Sequence, residues 1–148
     1  MYGPRQFGGM DHGWVANFAI RTVMDKPITI YGTDKQVRDI LYAPDAARAF
    51  ECFWEHPISG TYNIGGGDDT TISIRECLDE LEHITGRNGR ETHRYPARKG
   101  DLWYFCCDIN KAREMLHWEP EVMPAEGLRK LVEWIKTNKE IFAEKVAV

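Results

Sequence analysis

The sequence predicts a mixed α/β fold, rich in helix, in which short strands are separated by helices. Three observations point to it. Apolar residues recur at three- and four-residue spacing in several separate stretches, as amphipathic helices require. Between these stretches lie short runs of β-branched and aromatic residues bounded by Gly, Pro or Asp, which suit strands of a few residues. Ser73 and Glu76 form a capping box immediately ahead of one periodic stretch and fix where that helix begins. At 148 residues, 43% of them hydrophobic, the chain is expected to form one domain over residues 1–148 around a genuine core.

The first helix is expected over Trp14 to Met24, where Trp14, Val15, Phe18, Ala19, Thr22 and Val23 share a stripe, with Pro27 closing it. Ile28-Thr29-Ile30-Tyr31 follows as a strand and Gly32-Thr33-Asp34 as a turn. Gln36 to Tyr42 alternates Val37, Asp39 and Leu41 against Arg38, Ile40 and Tyr42, which suits a second strand. Pro44 fits the first turn of a helix whose apolar positions are Ala43, Ala47, Phe50 and Trp54, stopped at Pro57. Tyr62-Asn63-Ile64 reads as a strand running into Gly65-Gly66-Gly67. The capped helix turns Ile74, Cys77, Leu78, Leu81 and Ile84 inward, and Gly86 to Arg90 is a loop. Thr92 to Tyr95 and Leu102 to Cys107 are expected strands. Asp108 caps a helix reaching Leu116, and Leu128, Leu131, Val132 and Ile135 mark the last helix. Trp14, Trp54, Trp103, Trp118 and Trp134 are scattered and are expected in the core rather than in a stacking platform.

Composition narrows the function. A net charge of -4 supplies no global positive field for nucleic acid or an anionic membrane. No apolar run approaches the ~20 residues of a membrane helix, and no basic stretch followed by an apolar one opens the chain, so a cytoplasmic location is expected. Cys52, Cys77, Cys106 and Cys107 contain no C-x-x-C pair, and adjacent Cys106 and Cys107 would point to opposite faces of a strand. Free thiols are the expectation, and no metal site. The histidines lack ligand spacing, and no Gly-x-Ser-x-Gly or Cys-His grouping offers a nucleophile.

Two segments can hold an anion. Gln36-Val37-Arg38-Asp39-Ile40 follows the Tyr31-Gly32 turn, and Arg98-Lys99-Gly100-Asp101 follows Pro96. A guanidinium offers an anion two parallel hydrogen bonds. The competing readings are an ion pair between Arg38 and a nearby carboxylate, and a solvated basic turn at Arg98.

Two other patterns mislead. Tyr31-Gly32-Thr33-Asp34-Lys35 matches Tyr-x-x-x-Lys, but Gly-Thr-Asp favours a turn, and a proton-transfer dyad needs its lysine one helical turn from the tyrosine. Gly65-Gly66-Gly67-Asp68-Asp69-Thr70 is a glycine run without the third glycine of a dinucleotide fingerprint, and its aspartates would repel phosphate. No catalytic residue is assigned.

Met1-Tyr2-Gly3-Pro4-Arg5-Gln6-Phe7 resembles the Tyr-Gly-Pro-Arg-Gln segment midway along NAD-dependent nucleotide-sugar epimerases and dehydratases, the extended short-chain dehydrogenase/reductase family. The Arg38 and Arg98 segments resemble that family's two phosphate-binding elements. Asp108-Ile109-Asn110-Lys111-Ala112, with Leu116-His117-Trp118-Glu119-Pro120, resembles its tail, with His117 where glycine is usual. The resemblance is greatest to the CDP-paratose (CDP-tyvelose) 2-epimerase branch, whose sugar-covering loop Phe7 to Trp14 resembles, although His12 departs from an expected glutamine.

The resemblance implies the C-terminal, substrate-binding half of an extended Rossmann-type epimerase, with the cofactor-binding half absent. It implies diphosphate contacts from Arg38 and Arg98, a loop oriented by Asp101, and a base read by the main chain of Thr29, Ile30 and Tyr31. Gln6 would lie near the sugar, and Pro4 near a nicotinamide as a vestigial cofactor contact. NAD belongs to the full-length family, and no cofactor is expected for this chain alone. The leading expectation is binding of a nucleoside-diphosphate sugar, a CDP-sugar first, without turnover by the chain alone. The alternatives are a structural or interaction module, or a subunit completing a separate NAD-binding chain. A homodimer or such a pairing is the expected assembly.

Overall fold

A computed structural model describes residues 1–89 and 91–143; Arg90, at the end of the expected loop, lies outside the described residues. The elements run α1 (Trp14–Val23), β1 (Ile28–Tyr31), β2 (Val37–Asp39), α2 (Ala43–Glu55), a 3-10 turn (Asp68–Thr70), β3 (Thr71–Ser73), α3 (Ile74–Thr85), β4 (Thr92–Tyr95), β5 (Tyr104–Phe105), α4 (Asn110–Leu116), α5 (Pro124–Thr137) and α6 (Glu140–Ala143). The helix-rich, mixed α/β class expected from the sequence is the one observed.

Helices α1, α3 and α5 pack against one another because each carries an apolar stripe. Phe18 and Ala19 of α1, Leu78 and Leu81 of α3, and Leu128, Leu131, Val132 and Ile135 of α5 belong to one buried core. Strand β1 sends Ile28 and Ile30 into it, leaving Thr29 and Tyr31 on the partly exposed face. A second cluster joins α2 to α4 through Leu41, Ala46, Ala49, Ile109, Ala112, Leu116 and fully buried Trp118. The indole satisfies its buried N–H by donating to the Asp45 carbonyl at 2.9 Å.

Two small sheets bring distant segments together. β1 pairs in parallel with β4, Ile28 opposite Thr92 and Tyr31 opposite Tyr95. β2 lies between β3, to which it is antiparallel, and β5, to which it is parallel, with Val37 opposite both Ser73 and Tyr104. The capping box forms as expected: the Glu76 N–H donates to Ser73 Oγ at 3.1 Å, and the Ser73 N–H donates to Glu76 Oε2 at 2.7 Å. Hydrogen bonds from the Ser73 hydroxyl and backbone hold the Glu76 carboxyl below its ordinary range. At the end of α4, His117 takes the left-handed conformation (φ 51), a position that favours glycine at a helix terminus.

The structure corrects several expectations. Tyr62, Asn63 and Ile64 form no strand, because no neighbouring segment among the described residues pairs with them. Tyr62 instead donates to the Ile58 carbonyl and Asn63 to the Asp108 carbonyl. The expected strand over Gln36 to Tyr42 shortens to Val37–Asp39, since Ile40 N–H turns to the Thr70 carbonyl. Strand β5 shortens likewise to two residues. The expected helix face of Ala43, Ala47, Phe50 and Trp54 is not the buried one. Phe50 and Trp54 are 79% and 85% exposed, while Asp45, Ala46 and Ala49 face inward. Small residues allow α4 to approach there, and Asp45 is held by the Trp118 and Val122 N–H groups. Trp54 and Trp103, the latter 66% exposed, are therefore not core residues. Asp108 sits one position ahead of the N-cap residue Ile109 and still accepts from the Asn110 N–H at 3.0 Å. The four-residue α6, which buries Phe142, has too little periodicity to be anticipated.

Candidate functional site

A cavity of about 380 Å3 opens between residues 9–14, the outer face of β1, β2, and the 98–101 turn. One wall is built by Asn17, a polar residue on the apolar stripe of α1. Its N–H donates to the Gly13 carbonyl and its side-chain amide to the Gly8 carbonyl at 3.2 Å, tying the 8–13 loop to the helix start. The opposite wall is the turn between β4 and β5, closed by the Asp101 N–H donating to the Arg98 carbonyl at 3.1 Å. Thr29 and Tyr31 also line the cavity.

The two arginines, sixty residues apart in sequence, converge here. Arg98 lies over the Tyr31 ring at 4.0 Å, donates to the Met10 carbonyl at 2.8 Å, and pairs with Asp11 at 3.2 Å. A guanidinium stacked on an aromatic face is held in place by cation–π attraction. Arg38 pairs with Asp101 at 2.8 Å and donates to the Leu102 carbonyl at 2.6 Å and to its neighbour's carbonyl, that of Val37, at 2.7 Å. The ion pair weighed for Arg38 from the sequence is thus present. It lies at the cavity wall, with both residues part of the lining. Arg38, Arg98 and Lys99 set three cationic side chains against the carboxylates of Asp11 and Asp101, so the lining favours an anion.

Of the residues singled out from the sequence, Thr29, Tyr31, Arg38, Arg98 and Asp101 line the cavity. Ile30 does not offer its side chain, which is buried in the core. Pro4 and Gln6 lie outside the lining. Gln6 donates to the Met1 carbonyl at 3.3 Å, and its carbonyl oxygen is buried with no partner among the described residues. Sequence reasoning missed Gln36, Asn17, Phe18 and Lys99 as lining residues. A buried polar Asn17 inside an apolar helix stripe was the available signal, as was the place of Gln36 within the same motif as Arg38.

The glycine run is occupied. Asp39 Oδ2 accepts from the Gly66 N–H at 2.8 Å, the Gly67 N–H at 3.3 Å and the Cys107 N–H at 3.2 Å. A side chain at Gly65 or Gly66 would collide, its Cβ falling 2.4 Å from Cys107 Cβ or 1.9 Å from Thr70 Oγ1. These amides already serve a carboxylate, so the residues present do not fit a dinucleotide pyrophosphate here. Tyr31 ends a strand, and Lys35 follows a turn in which Asp34 has φ 64, so the pair lacks the helical spacing of a proton-transfer dyad. Burial pushes the Cys106 thiol up to about 11, helped by the Asp68 carboxylate 3.1 Å away, the opposite direction from the lowered values of reactive thiols. The four cysteines are free, and no group among the described residues has the make-up of a metal site. No described helix is long and apolar enough to cross a membrane.

Comparison with known proteins agrees with this architecture. Residues 1–131 match the family described as GDP-mannose 4,6 dehydratase. The chain is 35% identical over 142 residues to the CDP-paratose 2-epimerase of Salmonella typhi, covering 90% of this chain and 42% of that protein. Among solved structures, the UDP-glucose 4-epimerase of Thermotoga maritima, determined with UDP-glucose, superposes with a TM-score of 0.84 at 34% identity, covering 93% of this chain and 44% of the other. The UDP-glucuronic acid 4-epimerase of Bacillus cereus, determined with UDP-glucuronic acid and NAD, gives 0.81 at 29% identity over 93% and 43%. The chain spans less than half the length of each of these relatives.

Proposed function

The chain belongs to the GDP-mannose 4,6 dehydratase family, and we propose on that basis that its cavity binds the diphosphate of a nucleoside-diphosphate sugar, a CDP-sugar in first place. The observation that carries the reading is the convergence of Arg38 and Arg98 on one cavity, each held rigidly by neighbouring groups. Asp101 orients the turn that bears Arg98, and the main chain of Thr29, Ile30 and Tyr31 reads the base. Turnover is not expected from this chain by itself. The support is local: the glycine run is filled by Asp39, and Tyr31 and Lys35 lie on a strand and a turn. NAD would be bound by a polypeptide segment other than those seen here.

Calorimetric titration with CDP and UDP tests the reading. Binding is expected with a dissociation constant between micromolar and millimolar. Each charge-assisted contact contributes about 1.5–3 kcal/mol, so Arg38→Ala and Arg98→Ala should each weaken binding roughly tenfold to hundredfold. Equal affinities for wild type and both variants would remove the site.

A second reading, assembly with another polypeptide, is favoured by a specific observation. Phe50, Phe53 and Trp54 on α2, and the consecutive residues Leu102, Trp103, Tyr104 and Phe105, are exposed. Apolar surface of this kind is usually covered, whether by a second copy or by a separate NAD-binding chain. Light scattering on the purified chain at micromolar concentration should give a mass above 17.1 kDa. A single species at that mass, unchanged on dilution, would count against self-assembly.

A further inference from the structure

We propose that Gln36 is a positioning residue, whose side-chain amide holds Asp101, and through it the Arg38 guanidinium, in the orientation that meets an anionic ligand. The inference rests on the nucleotide-binding reading above. Gln36 is 5% exposed and lines the cavity between Tyr31 and Asp101. Its Nε2 donates to the Tyr31 carbonyl at 2.8 Å and to Asp101 Oδ2 at 3.4 Å. The other oxygen of that carboxylate accepts from Arg38 Nη2 at 2.8 Å. A continuous path therefore runs from the end of β1, through the amide and the carboxylate, to the guanidinium.

Chemistry fixes which way the amide faces. Both neighbours of Nε2 are acceptors, a carbonyl and a carboxylate, so a flipped amide would set oxygen against oxygen twice. The Oε1 atom is consequently left buried, with no partner among the described residues. A buried acceptor without a donor lowers stability. A glutamine kept for the fold alone would not need to leave one. The two donations of Nε2 are the contribution this side chain makes, and both end at the cavity. Arg38 is fixed in turn by Asp101 and by the Leu102 and Val37 carbonyls, which uses three of its five N–H groups and leaves the rest for a ligand.

The test uses two variants and two measurements. Gln36→Met keeps the length and removes the amide. It should melt within a few degrees of wild type, yet bind CDP or UDP about threefold to tenfold more weakly. Gln36→Glu at pH 7 turns carboxylate oxygens toward Tyr31 and Asp101. Amide hydrogen exchange at residues 98–102 should accelerate without ligand, while exchange in α1, α3 and α5 stays unchanged. Lowering the pH until the introduced carboxylate is protonated restores one donor, and the exchange should slow again. Wild type measured at each pH corrects for the slowing of all amide exchange in acid, so the comparison is of each variant with wild type at the same pH. If wild type fails to bind either nucleotide, the nucleotide reading fails, and the exchange measurement still judges the positioning role. Unchanged exchange at 98–102 in both variants would overturn it, as would wild-type affinity in both. So would a collapse of both variants' melting temperatures, which would mark Gln36 as a residue of the fold.

Discussion

Replacing Asp39 with alanine should be among the most damaging single substitutions in this chain, lowering its stability by about 3–5 kcal/mol. One carboxylate oxygen accepts three backbone N–H groups, from Gly66, Gly67 and Cys107. Hydrogen bonds to a charged acceptor contribute about 1.5–3 kcal/mol each, and the sum falls short of additivity because the groups share one oxygen. Alanine would also leave the three donors without a partner in a place too crowded for rearrangement, as the close approaches at Gly65 and Gly66 show. For a chain of this size the loss should depress the melting temperature on the order of 10 °C. Asp39→Asn, which keeps one acceptor oxygen without the charge, should cost about half as much. Denaturant unfolding at pH 7 checks both, and a loss under about 1 kcal/mol for alanine would contradict the account.

Asp34 should behave as an acid-sensitive clasp. The residue is 3% exposed, and its carboxylate accepts from Arg75 Nη2 at 3.1 Å to each oxygen and from Arg94 Nη2 at 2.6 Å. Its own carbonyl accepts from the Arg75 N–H at 2.9 Å. One residue thus joins the β1–β2 turn to the start of α3 and to β4. Burial pushes the carboxyl's pKa up, but hydrogen bonds and charge from Arg94 and Arg75 outweigh it, and the net direction is down. A carboxyl with a lowered folded-state pKa contributes fully above its unfolded value, near 4, and loses that contribution as the pH falls through the folded one. Asp34→Ala should therefore cost about 2–4 kcal/mol at pH 7. The gap between wild type and variant should narrow as the pH drops below about 4. A gap that holds constant from pH 7 to about pH 2.5 would show that the carboxylate's charge is not what binds the three elements.

What could be read from the sequence was mostly local. The capping box at Ser73, the stripe of α3 and the four residues of β1 depend on neighbours in the chain, and they appear where expected. Errors arose where an element's fate depends on what lies opposite. Tyr62 to Ile64 has strand composition but no strand beside it among the described residues. On α2, hydrophobicity pointed to Phe50 and Trp54, whereas close packing against α4 selected Ala46 and Ala49. The cavity divides the same way. Charged residues in recognisable motifs, Arg38, Arg98 and Asp101, stood out by type. Gln36 and Asn17 carry weaker signals, one within the motif of Arg38 and one inside an apolar stripe, and their place in the site shows once a distant loop is laid against them. Asp34 and Asp39 looked like a turn residue and a strand residue, and their weight comes from partners up to about seventy positions away.

The parallel pairings also govern how this chain folds in time. Ile28 meets Thr92 and Val37 meets Tyr104, so each pairing must close a loop of more than sixty residues before it returns any stabilisation. Such pairings are slow to form, and they place this chain among folders limited by topology rather than by helix formation. On the ribosome the order is stricter. At ~5–20 residues per second, β1 and β2 wait several seconds for β4 and β5 to emerge. During that interval the first arginine of the cavity has no second, and the edges of β1 and β2 stand open to any other strand within reach.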